Sequence, residues 1–380
     1  MNRTAGETNK KKLHSYYDYS LLFLILFMVC FGLVMIYSTS SYNAQRIYDD
    51  ATHFLQRQAL FGGAGILIML FVSKIDYRIY VTNLPVIRLK PITILYILCI
   101  FLQIYVLIFG EVIKGAKRWI SLGPLGNFQP SELTKIAVII FTAYIVNIAP
   151  RKLDKFRGFL RVVLFIVPLL GLILIENFST ALVIGVIMVS ICFVASKKKA
   201  YYIISGLLFG AIGAIFIFFV SYRSERITVW LNVETEEKGY QILQGLYAIG
   251  SGGIFGKGLG ESMQKLGFIP ESHNDMIFSV ICEELGLFGA FALILLFILM
   301  IWRIFIIAIN APDLLGGLIA TGVLAHIAIQ VLLNIAVVTN TIPSTGIPLP
   351  FISYGGSSVM VILFEMGIVL SISNQIKGER

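Results

Sequence analysis

The 380-residue sequence is 57% hydrophobic and only 13% charged, with 30 Lys and Arg against 21 Asp and Glu and a formal net charge of +9. Soluble domains carry about 25% charged residues, so the composition excludes an ordinary soluble protein and indicates one continuous membrane domain, residues 1–380. A nucleic-acid partner is not expected, because the basic residues fall between apolar runs and do not form a basic face on a soluble fold.

Ten apolar runs approach the roughly 20 residues that a bilayer-spanning helix needs, so we predict an all-α membrane protein with ten transmembrane helices. The first run follows a polar, basic segment and has no small-residue cleavage site after it, which indicates an uncleaved first helix. The predicted spans are 19–38, 58–73, 92–110, 132–149, 160–175, 179–196, 201–220, 280–302, 316–338 and 357–373.

Most of the 30 Lys and Arg fall on one side of these spans, which predicts that both termini are cytoplasmic. Residues 1–18 then form a cytoplasmic tail, and two long segments, 111–131 and 221–275, lie outside the cell. The second is the large extracellular loop between helices 7 and 8. Loops of this length are usually functional or disordered, and helically spaced apolar residues in 240–249 favour an ordered helix along the membrane surface.

The stretch 270–278 places Glu271, His273 and Asp275 within five residues, directly before an apolar run. Ionisable groups at a membrane boundary are costly and therefore mark candidate functional sites. We predict that Asp275 is a catalytic carboxylate acting as a general base. The alternative is that Asn274 or Asp275 only caps the following helix. A His-x-Asp pair is too sparse for a metal site, and the four cysteines, all in apolar runs, have no metal-ligand spacing.

Lys114, Lys117 and Arg118 beside Trp119 form an outer cluster of cations that opposes the positive-inside bias. Arg can bind phosphate oxygens with two parallel hydrogen bonds and Lys adds a point charge, so the cluster suits a phosphate or pyrophosphate group. Interaction with lipid headgroups is the alternative.

Residues 128–135 begin the fourth span with Gln129, a proline and Ser131. Glu132 and Lys135 are three residues apart and share one helix face, where they can pair. They form either a structural ion pair behind an ordinary helix start or a charged, substrate-binding element beneath the outer cations.

The glycine-rich segment 250–260 fails the phosphate-loop pattern, because Lys257 is followed by glycine and Ser251 stands where the leading glycine is required. Tight turns and close backbone approach to a ligand are expected instead. Residues 346–358 combine prolines and glycines with Ser353 and Tyr354. Irregular backbone at membrane depth is tolerated in a protein interior or along a cavity, so this loop either lines a ligand site or simply packs.

Together these strings resemble the SEDS family, which includes FtsW, RodA and SpoVE, over most of the chain and in the family's order. Residues 260–265 are more similar to FtsW and SpoVE than to RodA. The matching strings are Lys117-Arg118-Trp119, Gln129-Pro130-Ser131-Glu132 with Lys135, Tyr240-Gln241, 248–253, Pro270-Glu271 with His273 and Asp275, Glu283-Glu284-Leu285-Gly286, and 348–358.

The resemblance implies a peptidoglycan glycosyltransferase of the cytoplasmic membrane that polymerises lipid II at the outer face, in cell division or cell-wall morphogenesis. It implies a class B penicillin-binding protein as partner, with other divisome or elongasome membrane proteins. The family's essential acid falls on Asp275, although Asn274 and Met276 depart from the family's usual neighbours. No cofactor is evident, but a divalent cation (Mg or Mn) could share the charge of the pyrophosphate.

The predicted substrate-binding residues lie in the strings that resemble the family, as Asp275 does, or belong to the outer cluster of cations. Two other functions stay open: a lipid II flippase or other transporter, for which Glu283, Glu284 and Glu365 are the argument, and a non-catalytic division scaffold. The predicted set is Lys114, Lys117, Arg118, Gln129, Ser131, Glu132, Lys135, His273, Ser353 and Tyr354, with no metal ligand.

Overall fold

The computed structural model describes residues 14–85, 88–113, 116–123, 126–204, 206 and 221–378. Within these ranges nine helices are long and apolar enough to cross a membrane, which confirms an α-helical membrane protein. The spanning helices are α1 Tyr19–Tyr48, α2 His53–Val72, α3 Pro91–Phe109, α4 Pro130–Ile148, α5 Phe156–Glu176, α6 Phe178–Ala195, α9 Ile277–Asn310, α10 Leu314–Val338 and α11 Gly356–Asn374; α7 Ser221–Leu231 and α8 Tyr240–Ser251 are shorter.

The tenth predicted span, 201–220, lies mostly outside the described residues, so the count of ten stays a prediction. Two helices run further than hydropathy predicts: α1 continues to Tyr48 and α9 to Asn310. The extension of α1 beyond its apolar run still buries Thr39, Ser40 and Ala44 against the protein. A helix boundary set by packing cannot be predicted from apolar length alone.

The segment 111–131 contains short strands that an all-α prediction misses. Strands β2 (Glu111–Ile113), β3 (Ala116–Ser121) and β4 (Asn127–Phe128) form an antiparallel sheet in the order β2-β3-β4. A second pair, β1 (His14–Ser15) with β5 (Lys377–Gly378), joins the two described ends of the chain. Backbone groups leaving a helix need partners, and these short ladders supply them.

Helices α4 and α11 form the centre of the bundle, with 72% of each spanning window buried, against 22% for α3. α11 packs along α2, while α10 lies between α9 and α6. Because these central helices are mostly buried, a charge on their buried faces must find a partner within the protein.

The bundle has two distinct ends. At one end Arg303 forms a 2.7 Å ion pair with Asp18, and the backbone N–H of Asp18 donates to Ser373. At the other end Ser272 donates to the carbonyl of Thr39 in α1. The stretch 270–276 therefore lies at the end of the bundle opposite to the described termini.

The glycine-rich segment packs against a kink in α9. Gly286 has φ +68°, and a Cβ there would lie 2.3 Å from the backbone nitrogen of Gly256. The N–H groups of Leu287 and Phe288 donate to the carbonyls of Gly253 and Ile254, so the segment satisfies groups that the kink frees. Part of the close backbone approach predicted for this segment is made to α9, and the approach to a ligand stays a prediction.

Candidate active site

Asp275 is half-buried in the turn before α9, at the end of the bundle remote from the described termini. The residue at the N-cap position of α9 is Met276, which makes no side-chain capping hydrogen bond. The carboxamide of Asn274 donates to Glu271 at 2.9 Å. The helix-capping alternative is therefore not supported at these two positions.

Two side chains hold the peptide groups on either side of Asp275. The carboxamide of Asn334 in α10 donates to the carbonyls of Asp275 and Ile347, at 2.8 and 2.9 Å. The hydroxyl of Ser353 donates to the carbonyl of Asn274 at 2.7 Å. Because Asn334 is 1% exposed, its hydrogen bonds are protected from competition with water. The turn carrying the carboxylate is thus fixed by two other parts of the fold.

The loop between α10 and α11 forms the wall facing Asp275. Gly346 has φ +68°, and a Cβ there would come within 3.9 Å of Oδ2 of Asp275. The N–H of Leu349 donates to Ser353 at 2.8 Å, which orients the hydroxyl that holds residue 274. The predicted role of residues 346–358 as a lining is consistent with this contact.

His273 and Tyr354 meet at an aromatic cluster beside this turn. The ring of Phe54 in α2 lies 4.5 Å from that of His273 and 5.1 Å from that of Tyr354. The N–H of Tyr354 donates to the carbonyl of His273 at 2.9 Å. Burial raises the pKa of Tyr354 although Arg57 opposes this shift, so the phenol stays protonated and can donate a hydrogen bond.

Lys117 and Arg118, two of the predicted cations, line a small cavity of about 10 Å³ between α3, α4, α5 and β3. The N–H of Lys117 donates to the carboxylate of Glu176 at 2.9 Å, and Nε of Arg118 donates to the Glu176 carbonyl at the same distance. Gln129 and Ser131 line the same cavity and hydrogen-bond each other at 2.9 Å. Hydrogen bonds to Glu176 therefore hold Lys117 and Arg118 at the same cavity as Gln129 and Ser131, at the start of α4.

Glu132 and Lys135 form a buried ion pair of 2.9 Å directly behind this cavity. They are 6% and 2% exposed, and the hydroxyl of Ser358 in α11 donates to Glu132 at 2.9 Å. The pairing predicted from their spacing is confirmed. Since Ser358 lies in the first turn of α11, directly after the loop that faces Asp275, the pair connects the start of α4 with the Asp275 wall.

Arg57 is a residue that the sequence reasoning missed. It lies close enough to Tyr354 to lower that phenol's pKa, and its Nη1 would be 3.9 Å from a Cβ at Gly126. Arg57 thus lies between the Asp275 wall and the sheet that carries Lys117 and Arg118. The available signal was a polar pair, Arg57 and Gln58, near the start of an otherwise apolar helix.

The other acids noted in the sequence have structural partners. Glu283 accepts from Lys257 at 2.6 Å and Glu284 accepts from Lys265 at 2.7 Å, both near the start of α9. Glu365 lies 2.7 Å from the ring of His326 in the bundle centre. Lys114 lies outside the described residues.

No three His, Cys, Asp or Glu side chains come together as a possible metal site in the described part of the chain. The cavity lining contains one carboxylate, Glu176, beside the cations Lys117 and Arg118, and this does not fit the several oxygen ligands of a dedicated Mg or Mn site.

Sequence comparison relates the whole chain to known proteins. A family model described as "Cell cycle protein", for FtsW, RodA and SpoVE, matches residues 19–378. Stage V sporulation protein E of Bacillus subtilis is 40% identical over 375 residues, covering 94% of this chain and 96% of its own length. A probable peptidoglycan glycosyltransferase FtsW of Geobacter sulfurreducens is 40% identical, covering 95% and 96%.

Solved structures show the same fold. A chain of a peptidoglycan synthase complex, studied for its coordination of polymerization and crosslinking, superposes with a TM-score of 0.76 at 27% identity, covering 94% of this chain and 97% of that one. The rod shape determining protein RodA of Thermus thermophilus superposes with a TM-score of 0.68 at 26% identity, covering 95% and 97%.

Proposed function

Because the chain belongs to the FtsW, RodA and SpoVE family of cell cycle proteins, we propose that it is a peptidoglycan glycosyltransferase that polymerises lipid II. The observation that carries the proposal is the positioned carboxylate of Asp275 at the same end of the bundle as a cation-lined cavity. Both belong to strings that this family shares. The prediction of an FtsW- or SpoVE-type member is confirmed by the relatives at 40% identity.

In the proposed reaction, Asp275 accepts the proton of the acceptor sugar's 4-hydroxyl as that oxygen attacks the donor's anomeric carbon. A general base must be held within hydrogen-bond reach of the proton it takes, and Asn334 and Ser353 give the turn that rigidity. The bond to undecaprenyl pyrophosphate breaks in the same displacement. A single displacement at an α-linked donor yields a β linkage.

Lys117 and Arg118 bind the departing pyrophosphate, with Arg57 as a further cation between them and the Asp275 wall. Fixed positive groups aimed at developing negative charge stabilise a transition state more than a ground state. Gln129 and Ser131 donate hydrogen bonds to the same group, and His273, Ser353 and Tyr354 line the sugar side. Glu132 and Lys135 support the cavity floor. A divalent cation that shares the charge of the pyrophosphate stays a prediction.

The active site faces the cell exterior in this proposal, since Asp275 lies opposite to the termini that the charge bias assigns to the cytoplasm. The membrane is then the cytoplasmic membrane and lipid II enters from its outer leaflet. A class B penicillin-binding protein is the proposed partner, because a relative of similar fold occurs in a peptidoglycan synthase complex. A role in division or cell-wall morphogenesis follows from the relatives.

The test is polymerisation of lipid II by the purified protein with its partner in detergent, where no transport is possible. Asp275→Asn should abolish glycan formation while leaving expression and monodispersity unchanged. Glu261→Gln, an exposed acid of the same outer segment, is the matched control and should keep full activity. Undiminished polymer from Asp275→Asn would refute the assignment of the base.

The flippase and scaffold alternatives are less well supported. Transporters usually bind their substrates near the bilayer midplane, whereas the candidate substrate groups here cluster at one end of the bundle. Glu283 and Glu284 are each paired with a lysine of the adjacent loop. Polymer formed in detergent that disappears with Asp275→Asn would leave only the enzyme, because a flippase has nothing to transport there and a scaffold would not need Asp275.

A further inference from the structure

A groove opens between α4 and α5 at the end of the bundle that carries the described termini. Its volume is about 660 Å³, within the range of roughly 300–1,000 Å³ typical of small-ligand sites. It shares no lining residue with the cation cavity described above, which lies at the opposite ends of the same helices.

Two apolar stripes form the walls of this groove. On α4 they are Phe141, Tyr144, Ile145 and Ile148, which recur at the three- and four-residue spacing of one helix face. The facing stripe on α5 includes Val162 and Phe165, with Leu164 beside it. Several of these side chains are open to the membrane: Ile148 and Leu164 are each 63% exposed.

Aromatic side chains close the groove toward the middle of the bundle. The rings of Tyr96 and Phe141 stack at 4.4 Å, and Phe165 meets Phe141 edge-on at 6.1 Å. The hydroxyl of Tyr96 donates to the carbonyl of Phe165, which ties α3 to this corner. From Phe141 to Ile148 the α4 wall is about 10 Å long, so the groove is a slot open at its charged end.

Basic side chains surround the open end. Lys152 and Arg161 line the groove itself, and Lys90 donates to the hydroxyl of Tyr144 on its wall. Asp154 is the acidic residue between α4 and α5. It accepts a 2.9 Å hydrogen bond from the N–H of Lys197, in a neighbouring turn. That hydrogen bond and one from Ser196 lower the pKa of Asp154, so it stays ionised and engaged away from the groove.

We propose that this groove binds one anionic phospholipid of the leaflet that faces the termini. An acyl chain would lie on the apolar walls, and the phosphate would lie between Lys152 and Arg161. An apolar slot with a cationic mouth at the membrane boundary complements a lipid that has apolar chains and a negative headgroup. A zwitterionic lipid offers the same chains without net charge, so the proposal predicts selectivity for the charge.

The experiment is native mass spectrometry of the full-length protein in detergent, titrated with phosphatidylglycerol or with phosphatidylethanolamine of identical acyl chains. Wild-type protein should retain phosphatidylglycerol in preference. The double change Lys152→Gln with Arg161→Gln should weaken that binding about tenfold or more, because each cation near an anionic headgroup contributes appreciably. Phosphatidylethanolamine binding should change little.

The matched control is Lys197→Gln with Lys198→Gln, which removes two exposed cations of the same bundle end outside the groove. This pair should bind phosphatidylglycerol as the wild type does. Ile145→Trp fills the slot without changing charge and should lower retention of both lipids. Equal retention of the two lipids by wild type, or equal losses in the groove and control variants, would overturn the proposal.

Discussion

Asn334 donates a 2.8 Å hydrogen bond to the backbone carbonyl of Asp275, so the end of α10 fixes the peptide that carries the candidate base. The same carboxamide also donates to the carbonyl of Ile347, in the middle of the loop facing Asp275. One buried amide therefore sets the distance between the acid and its opposing wall.

Asn334→Ala should lower the rate of lipid II polymerisation by about a hundredfold, since small misplacements of a catalytic group have effects of that order. It should also lower the free energy of unfolding by about 1–3 kcal/mol, because two buried carbonyls lose their donor. Gel analysis of glycan chains and a thermal denaturation series measure the two effects. Gln330→Ala, one turn earlier on α10, is the control and should affect polymerisation far less.

The ion pair of Glu132 and Lys135 predicts a non-additive mutational pattern. Glu132→Gln or Lys135→Met alone should destabilise the protein by about 3–5 kcal/mol, because each leaves the other charge buried and unpaired. The double change Glu132→Leu with Lys135→Leu should recover most of that stability. Unfolding in mixed detergent micelles measures the cycle.

The double variant also tests function. If the pair only supports the cavity floor, the stable double variant should retain polymerisation. Loss of activity with full recovery of stability would instead show that one of these charges contacts the substrate.

Lys257 and Lys265, which pair with glutamates of α9, should contribute unequally to thermal stability. Lys265 has a side chain 7% exposed and donates to Glu284, whose other donor is Ser38. Lys257 is 34% exposed, and its partner Glu283 also accepts hydrogen bonds from the hydroxyl and backbone groups of residues 251–264. Lys265→Met should therefore lower the thermal midpoint much more than Lys257→Met. A larger loss for Lys257→Met would contradict this account.

The start of α10 predicts a pH effect on stability. Burial would raise the pKa of Asp313, but the N–H of Gly316 and the guanidinium of Arg78 more than offset it and lower the pKa. A lowered folded-state pKa gives stability that is fully present above the unfolded value of about 3.9 and is lost as the pH falls through the folded value. Acid should therefore weaken this contact, and alkali should not.

Asp313→Asn isolates that contribution, since Asn can still cap α10 but carries no charge. The difference in thermal midpoint between wild type and Asp313→Asn should be constant near neutral pH and should shrink below about pH 4. A difference that grows on acidification would have the wrong sign for this ion pair.

The sequence by itself determined the membrane class, the approximate position of nine described spans and the pairing of Glu132 with Lys135. These features depend on local information: the length of each apolar run, the charged residues between the runs, and the spacing of side chains along one helix face. The resemblance of ordered strings also identified Asp275 and the outer cations as one candidate site.

Only the tertiary structure decided how that site is held and what its neighbours do. Asn334, Arg57 and Ser353 come from segments far apart in the chain, and side-chain hydrogen bonds between such segments leave no periodic signal in the sequence. Gly252 and Gly256 pack against the backbone of α9 near its kink, and the carbonyls of Gly253 and Ile254 accept its freed N–H groups, because a freed helix backbone must find partners inside the protein. The same requirement places Lys257 and Lys265 on Glu283 and Glu284, since charges removed from water are stable only when paired.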